Sequence, residues 1–355
     1  MFEKLKLPLV GALTAIISIT LVLHGNPGNM GFCIACFLRD TAGALGLHGT
    51  AAVQYARPEA IGIVIGALII SLITKEFSAK GGSAPVTRFV LGACVMIGAL
   101  VFLGCPLRMV LRIAGGDLNA LIGLIGFVGG ILLGMFFLQR GYSLKRTYDV
   151  SKTDGLALPV LSLLLMAALI FFPALLLFSE SGPGAARAPI ALALGAGLIM
   201  GVVGFISRLC FIGGIRDSVM FKNFSMLSAF ITLLVVGIIG NIIFGQFNLS
   251  LEGQPVAHTE WLWNILGLGL VGFGSVLLGG CPFRQMVLAG SGNSDSAVTV
   301  FGMIFGATLA HNLSLASSAA GTTTNGRVAF AIAFAIVTGI AVYNTFFNKK
   351  VRKSA

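Results

Sequence analysis

The sequence predicts an all-α polytopic membrane protein with an hourglass shape. It would be an inverted-topology repeat of five spans per half, about ten in total, with four re-entrant half-helices. Three observations carry the prediction. Of 355 residues, 57% are hydrophobic and only 10% charged, against roughly 25% charged in soluble domains. At a mean hydropathy of +0.99, a soluble core of this size would lack a polar shell. A soluble enzyme, a nucleic-acid-binding module and a disordered chain are thereby excluded. Apolar stretches of spanning length recur along the whole chain, and two cysteine motifs occur twice at a common offset. The 48 glycines fit the same class, because Gly lets membrane helices approach closely.

A spanning helix needs about 20 apolar residues. Such stretches lie near 7–24, 59–74, 86–104, 119–138, 156–178, 188–208, 225–246, 261–280, 296–318 and 327–346. The first has the basic start and apolar run of a signal peptide. No small-x-small cleavage pattern convincingly precedes Gly25, so it reads as a retained span. Four further stretches, near 29–48, 104–118, 209–224 and 280–295, are too short and Gly-rich to span. They read as half-helices, because irregular backbone at membrane depth is tolerated only where protein or a water-filled cavity satisfies it.

The charges orient this layout. With a cytoplasmic N-terminus, the inner loops hold Lys4, Lys6, Lys75, Lys80, Arg88, Arg140, Lys145, Arg146, Lys152, Lys349, Lys350, Arg352 and Lys353. The outer loops between spans hold only Arg187 and Arg327. That is the asymmetry of the positive-inside rule, with both termini cytoplasmic. It accounts for the net charge of +11 without a polyanionic partner.

Cys33-Ile34-Ala35-Cys36-Phe37-Leu38-Arg39-Asp40 is matched by Cys210-Phe211-Ile212-Gly213-Gly214-Ile215-Arg216-Asp217. Gly104-Cys105-Pro106-Leu107-Arg108 is matched by Gly280-Cys281-Pro282-Phe283-Arg284. The offsets, 177 and 176 residues, are about half the chain. Gly126 with Gly302 and Gly130 with Gly306 keep the same spacing. Two motifs at one spacing signal duplication, with repeats at 1–178 and 179–355. Five spans per half, an odd number, turn the second copy upside down, and such repeats place transport sites at their interface.

In Gly-Cys-Pro-x-Arg the proline suits the first helical position, which puts the cysteine near the N-cap. A helix N-terminus favours anions and makes a thiol a better partner for soft substrates. The candidate substrate-binding residues are therefore Cys33, Cys105, Cys210, Cys281, Arg108 and Arg284. The bland alternative is a small apolar filler beside an arginine paired with an acid. Intramembrane polar groups favour the functional reading. Auxiliary candidates are Cys36, which makes Cys-x-x-Cys with Cys33, and His311, which either relays protons or bonds a neighbouring helix. Arg39–Asp40 and Arg216–Asp217 read as structural pairs, Arg112 and Asp117 likewise, and Cys94 as filler. Six Cys and four His do not give zinc-ligand spacing, so no metal or cofactor is expected.

At these residues the chain resembles the YeeE/YedE family of sulfur-compound transporters, most of all its YedE branch, associated with selenium metabolism. The matching stretches are Gly31–His48, Gly104–Asp117, Arg208–Asp217 and Gly279–Asn293. The resemblance implies an hourglass through which thiosulfate passes, with cysteines along a narrow path making transient contacts. These cysteines map onto Cys105, Cys210 and Cys281, with Cys33 as the symmetric fourth. One departure is that both copies follow Gly-Cys with Pro and Arg rather than small or polar residues. The added charge suits a selenium-containing or other small anion. The expectation is therefore a bacterial inner-membrane importer, not an enzyme, for a small inorganic selenium or sulfur species. Its partners would be that anion, the lipid bilayer and a cytoplasmic sulfur or selenium carrier protein, with no nucleic acid. The alternatives are a thiosulfate transporter proper, a membrane thiol-disulfide exchange protein using Cys33 and Cys36, and an unselective ion channel.

Overall fold

The computed structural model describes residues 2–347; the basic residues Lys349, Lys350, Arg352 and Lys353 lie outside the described residues. The first half contributes α1 (Phe2–Leu23), α2 (Ile34–Ala44), α3 (Pro58–Ile73), α4 (Pro85–Phe102), α5 (Pro106–Ala114), α6 (Leu118–Gln139) and α7 (Lys152–Phe171). The second contributes α8 (Ile190–Ser207), α9 (Phe211–Phe221), α10 (Ser225–Ile243), α11 (Trp261–Leu278), α12 (Pro282–Gly290), α13 (Ser294–Asn312) and α14 (Thr324–Val342). The strands β1 (Lys80–Gly81) and β2 (Tyr148–Asp149) pair antiparallel in a two-residue ladder.

Among the described residues, nine helical stretches are long and apolar enough to cross a membrane. The protein is an all-α polytopic membrane protein. Two expected spans differ in detail. The stretch 156–178 stops being α-helical at Phe171, because Pro173 follows and the chain tightens into a 3₁₀ turn over Pro173–Leu175. The stretch 296–318 is helical as α13 but falls outside the nine, because Asp295, Ser296 and Thr299 lower its apolarity. All three are buried against protein, and Asp295 accepts from the Ser83 backbone N–H at 3.1 Å.

The four short helices are α2, α5, α9 and α12, where the Gly-rich stretches stand in the sequence. Helices α4, α5 and α6 each begin 176 residues before α11, α12 and α13, and α2 begins 177 before α9. Packing follows the same correspondence. Helix α1 packs on α10 while α3 packs on α8; α6 packs on α11 while α4 packs on α13; α4 and α11 pack on each other. Exchanging the halves leaves these pairings unchanged.

The small residues on these helices make the close pairings possible. A Cβ on Gly126 would overlap the Ile265 carbonyl oxygen, and one on Gly302 would overlap that of Phe89. Residues 265 and 89 are themselves 176 apart. Without side chains at the contact, backbones touch directly, as membrane helices do at small-residue seams.

Candidate functional site

All four repeated cysteines sit at one kind of position. Cys33, Cys105, Cys210 and Cys281 are the N-cap residues of α2, α5, α9 and α12, each with extended backbone. Pro106 and Pro282 occupy the first helical position, where the missing N–H leaves nothing unpaired. Each short helix therefore begins with a thiol among free backbone N–H groups at the positive end of its dipole.

The thiols meet in pairs, one from each motif. Cys33 lies beside Cys105, and Cys210 beside Cys281. The first turns of α2 and α5 lie about the Cys105 sulfur, and the first turn of α9 with the start of α12 lies about that of Cys210. Each pair thus joins two helix N-termini head to head, a donor-rich setting for an anion with a polarizable atom. Cys36, one turn into α2, lies with its sulfur 2.8 Å from that of Cys33; all six cysteines are free thiols.

The two arginines of the Gly-Cys-Pro-x-Arg motifs are held differently. Arg108 is fully buried. Its guanidinium donates to the carbonyls of Asn29 at 3.2 Å, Leu103 at 2.5 Å, Pro255 at 3.2 Å and Val256 at 3.3 Å, and to Cys36 Sγ at 3.5 Å. None of the carboxylates among the described residues pairs with it. Its positive charge is solvated by dipoles and stays uncancelled beside three thiols. Arg284 donates only to the Gly204 carbonyl, at 3.4 Å, is half-buried and lies within electrostatic reach of Cys210 and Cys281.

Arg39 pairs with Asp40 at 2.7 Å and Arg216 with Asp217 at 2.8 Å. Asp40 also takes Arg57 at 2.8 Å, and Arg112 takes Asp117 at 2.6 Å. Cys94 lies within α4 among apolar neighbours. His311 packs away from the thiols. Its ring stacks on His48 with centroids 4.6 Å apart, and its Nδ1 is 3.2 Å from Thr50 Oγ1.

Sequence reasoning missed the segment 244–260 between α10 and α11. It folds inward, where Pro255 and Val256 supply carbonyls to Arg108 and Gln254 accepts from Asn29. Its counterpart between α3 and α4, residues 74–84, is shorter. That difference in length was the available signal.

This architecture defines a multi-pass membrane protein with two thiol-capped helix pairs. The family described as sulphur transport matches residues 206–351, which include Cys210, Cys281 and Arg284. The thiosulfate transporter TsuA of Escherichia coli (strain K12) is 32% identical over 110 residues. That alignment spans 30% of this chain and 31% of the relative, so the chain covers under a third of that protein's length. Over its second half the chain is thus similar to the sulphur-transport family.

Proposed function

We propose that this protein imports a small inorganic sulfur or selenium anion across a bacterial inner membrane, with thiosulfate as the sulfur candidate. The halves 1–178 and 179–355 are inverted copies with both termini cytoplasmic, so Cys33 and Cys105 serve the outer side and Cys210 and Cys281 the inner. One observation carries the reading: four cysteines cap four short helices and meet two by two. The match of the second half to the sulphur-transport family and the likeness to TsuA support sulfur as the element. The selenium alternative rests on the Pro and Arg that follow both Gly-Cys motifs.

The physical logic is weak, successive binding. Backbone N–H groups and a buried guanidinium stabilise the anion's oxygens. The thiols meet its soft terminal atom and form no bond that must later be broken. A path of several weak sites lets the ion both arrive and leave. Bringing an anion in against an inside-negative potential costs about 2.3 kcal/mol per charge per 100 mV. Import therefore needs a steep substrate gradient or a coupled cation.

The test is uptake of radiolabelled thiosulfate, selenite and selenosulfate by cells lacking their own importers. Cys105→Ala and Cys281→Ala should each abolish uptake while the protein remains folded in the membrane. Full uptake by both variants would sink the proposal. A second reading, thiol-disulfide exchange, is favoured by the 2.8 Å approach of Cys33 and Cys36. Unchanged activity of Cys36→Ser would dismiss it; the second copy has Gly213 there.

A further inference from the structure

Four acids are buried among the described residues: Asp40, Glu59, Asp117 and Asp295. Three have an arginine partner, Asp40 with Arg39 and Arg57, Asp117 with Arg112, and Asp295 with Arg88. Glu59 has none. It lies in the first turn of α3, 1% exposed. Its Oε1 accepts from Asn26 Nδ2 at 2.8 Å, and its Oε2 is buried without a partner. A permanently ionised carboxylate would not be left half-satisfied at such a place, because burial of an unpaired charge is strongly unfavourable.

Two neighbours connect Glu59 to water and to the thiols. The Asn26 side chain accepts from the Ala188 N–H at 2.9 Å. Ala188, with His24, Tyr55, Phe178 and Arg187, lines an open cavity of about 480 Å³. Asn26 Nδ2 is also 3.4 Å from the Gly31 carbonyl, two residues before Cys33. Glu59 is thus one side chain away from the cavity wall and one from the segment that carries the first thiol.

Its charged surroundings do not neutralise it. Arg57, from the segment before α3, is engaged by Asp40 and by the carbonyls of Pro183 and Ala186. Asp40 of α2 adds negative charge, and Tyr55 stands towards Arg187. Helix α8, packed along α3, has no titratable side chain between Ile190 and Ser207. Helix α7 has its only charges, Lys152 and Asp154, in its first turn, and α12 has Arg284, directed at Gly204.

We propose that Glu59 is a proton-binding site linked to anion binding at the Cys33–Cys105 pair, so that the anion binds together with one proton. The inference rests on the transport reading above. The proton comes from water in the cavity and settles on Oε2. Ionised, Glu59 adds negative charge beside the segment leading to Cys33; protonated, it adds none. The anion therefore favours the protonated form, and by reciprocity the proton favours the anion. In a medium of low dielectric constant that coupling is strong.

The experiment is calorimetric titration of the purified full-length protein with thiosulfate across a range of pH, in buffers of different ionisation enthalpy. Wild type should take up a proton on binding. Its affinity should fall by up to about tenfold per pH unit on the alkaline side, the limit for one linked proton. Glu59→Gln should bind with flat pH dependence and no proton uptake. Wild-type pH dependence retained in Glu59→Gln, flat binding by wild type, or dependence on sodium in place of pH would overturn the proposal. Should Glu59→Gln fail to fold, Glu59→Asp keeps a titrating group one methylene shorter, and an unshifted profile overturns it equally. Should wild type bind none of thiosulfate, selenite and selenosulfate, the transport reading itself fails. The infrared band of a protonated carboxylic C=O then decides on Glu59: it should disappear in Glu59→Gln or shift in Glu59→Asp, and an unchanged spectrum overturns the site.

Discussion

Cys33 and Cys105 are both buried, whereas in the second pair Cys281 is buried and Cys210 is partly exposed. Every residue of α2 is buried, whereas α9 buries only Phe211, Ile212, Gly213, Gly214 and Ser218. Arg39 and Asp40 are 3% and 0% exposed; their counterparts Arg216 and Asp217 are 30% and 24%. Arg108 is pinned by four carbonyls, Arg284 by one. Cys210 alone among the cysteines is partly exposed. Similar motifs thus produce one sealed thiol pair and one that is partly accessible. The difference comes from what surrounds the motifs: the long segment 244–260 supplies two carbonyls to Arg108, whereas Arg284 donates to Gly204 of α8.

The largest test of this contrast removes each arginine. Arg108→Met leaves buried carbonyls without a donor and should destabilise the protein by about 1–3 kcal/mol, the cost of stranding buried acceptors. Thermal unfolding in detergent would show it. Arg284→Met should leave the melting temperature nearly unchanged and weaken thiosulfate uptake, through a KM raised about tenfold, as for a lost charge-assisted contact. Equal melting losses in both variants would erase the contrast.

The next test concerns what the halves share. Gly126→Ala and Gly302→Ala press a methyl onto backbone at corresponding seams. Each should cost about 2 kcal/mol by overpacking. Gly129→Ala, which meets nothing within 4 Å, should be neutral. A smaller effect is expected from thiol labelling of the folded protein. Cys210 should react with a small maleimide on the order of tenfold faster than Cys33, Cys105 or Cys281, because reactivity follows access. Peptide mapping after short exposure reads the order directly.

The smallest effect is at the turn before each Gly-Cys-Pro helix. Leu103 and Gly279 both adopt left-handed backbone, with φ of 64° and 81°. Gly279→Ala has room for its methyl but not the preferred conformation, and should cost about 1 kcal/mol. Chemical denaturation of single variants resolves that value.

Much of the site was legible because it is local. An N-cap cysteine followed by proline depends on consecutive residues, so Cys105 and Cys281 could be placed on helix starts from sequence. The 176-residue spacing aligned the two sets of motifs before any packing was known. Hydropathy marked the long helices, α13 among them, although that helix carries polar side chains buried against protein. What stayed hidden was long-range. Nothing near Arg108 announces that its partners are Pro255 and Val256. Nothing near Glu59 announces Asn26, since an acid one turn into an apolar helix looks like an ordinary helix-end charge.

By itself the sequence determined the class, the helix starts and the residue pairs that correspond between halves, because hydropathy, proline geometry and repeat spacing act over a few residues or along one chain. Only the tertiary structure decided which thiols touch, which arginine is sealed in and which acid is left without a cation. Those outcomes depend on segments from about thirty to about a hundred and fifty residues apart meeting in the buried interior, and no local pattern encodes the result.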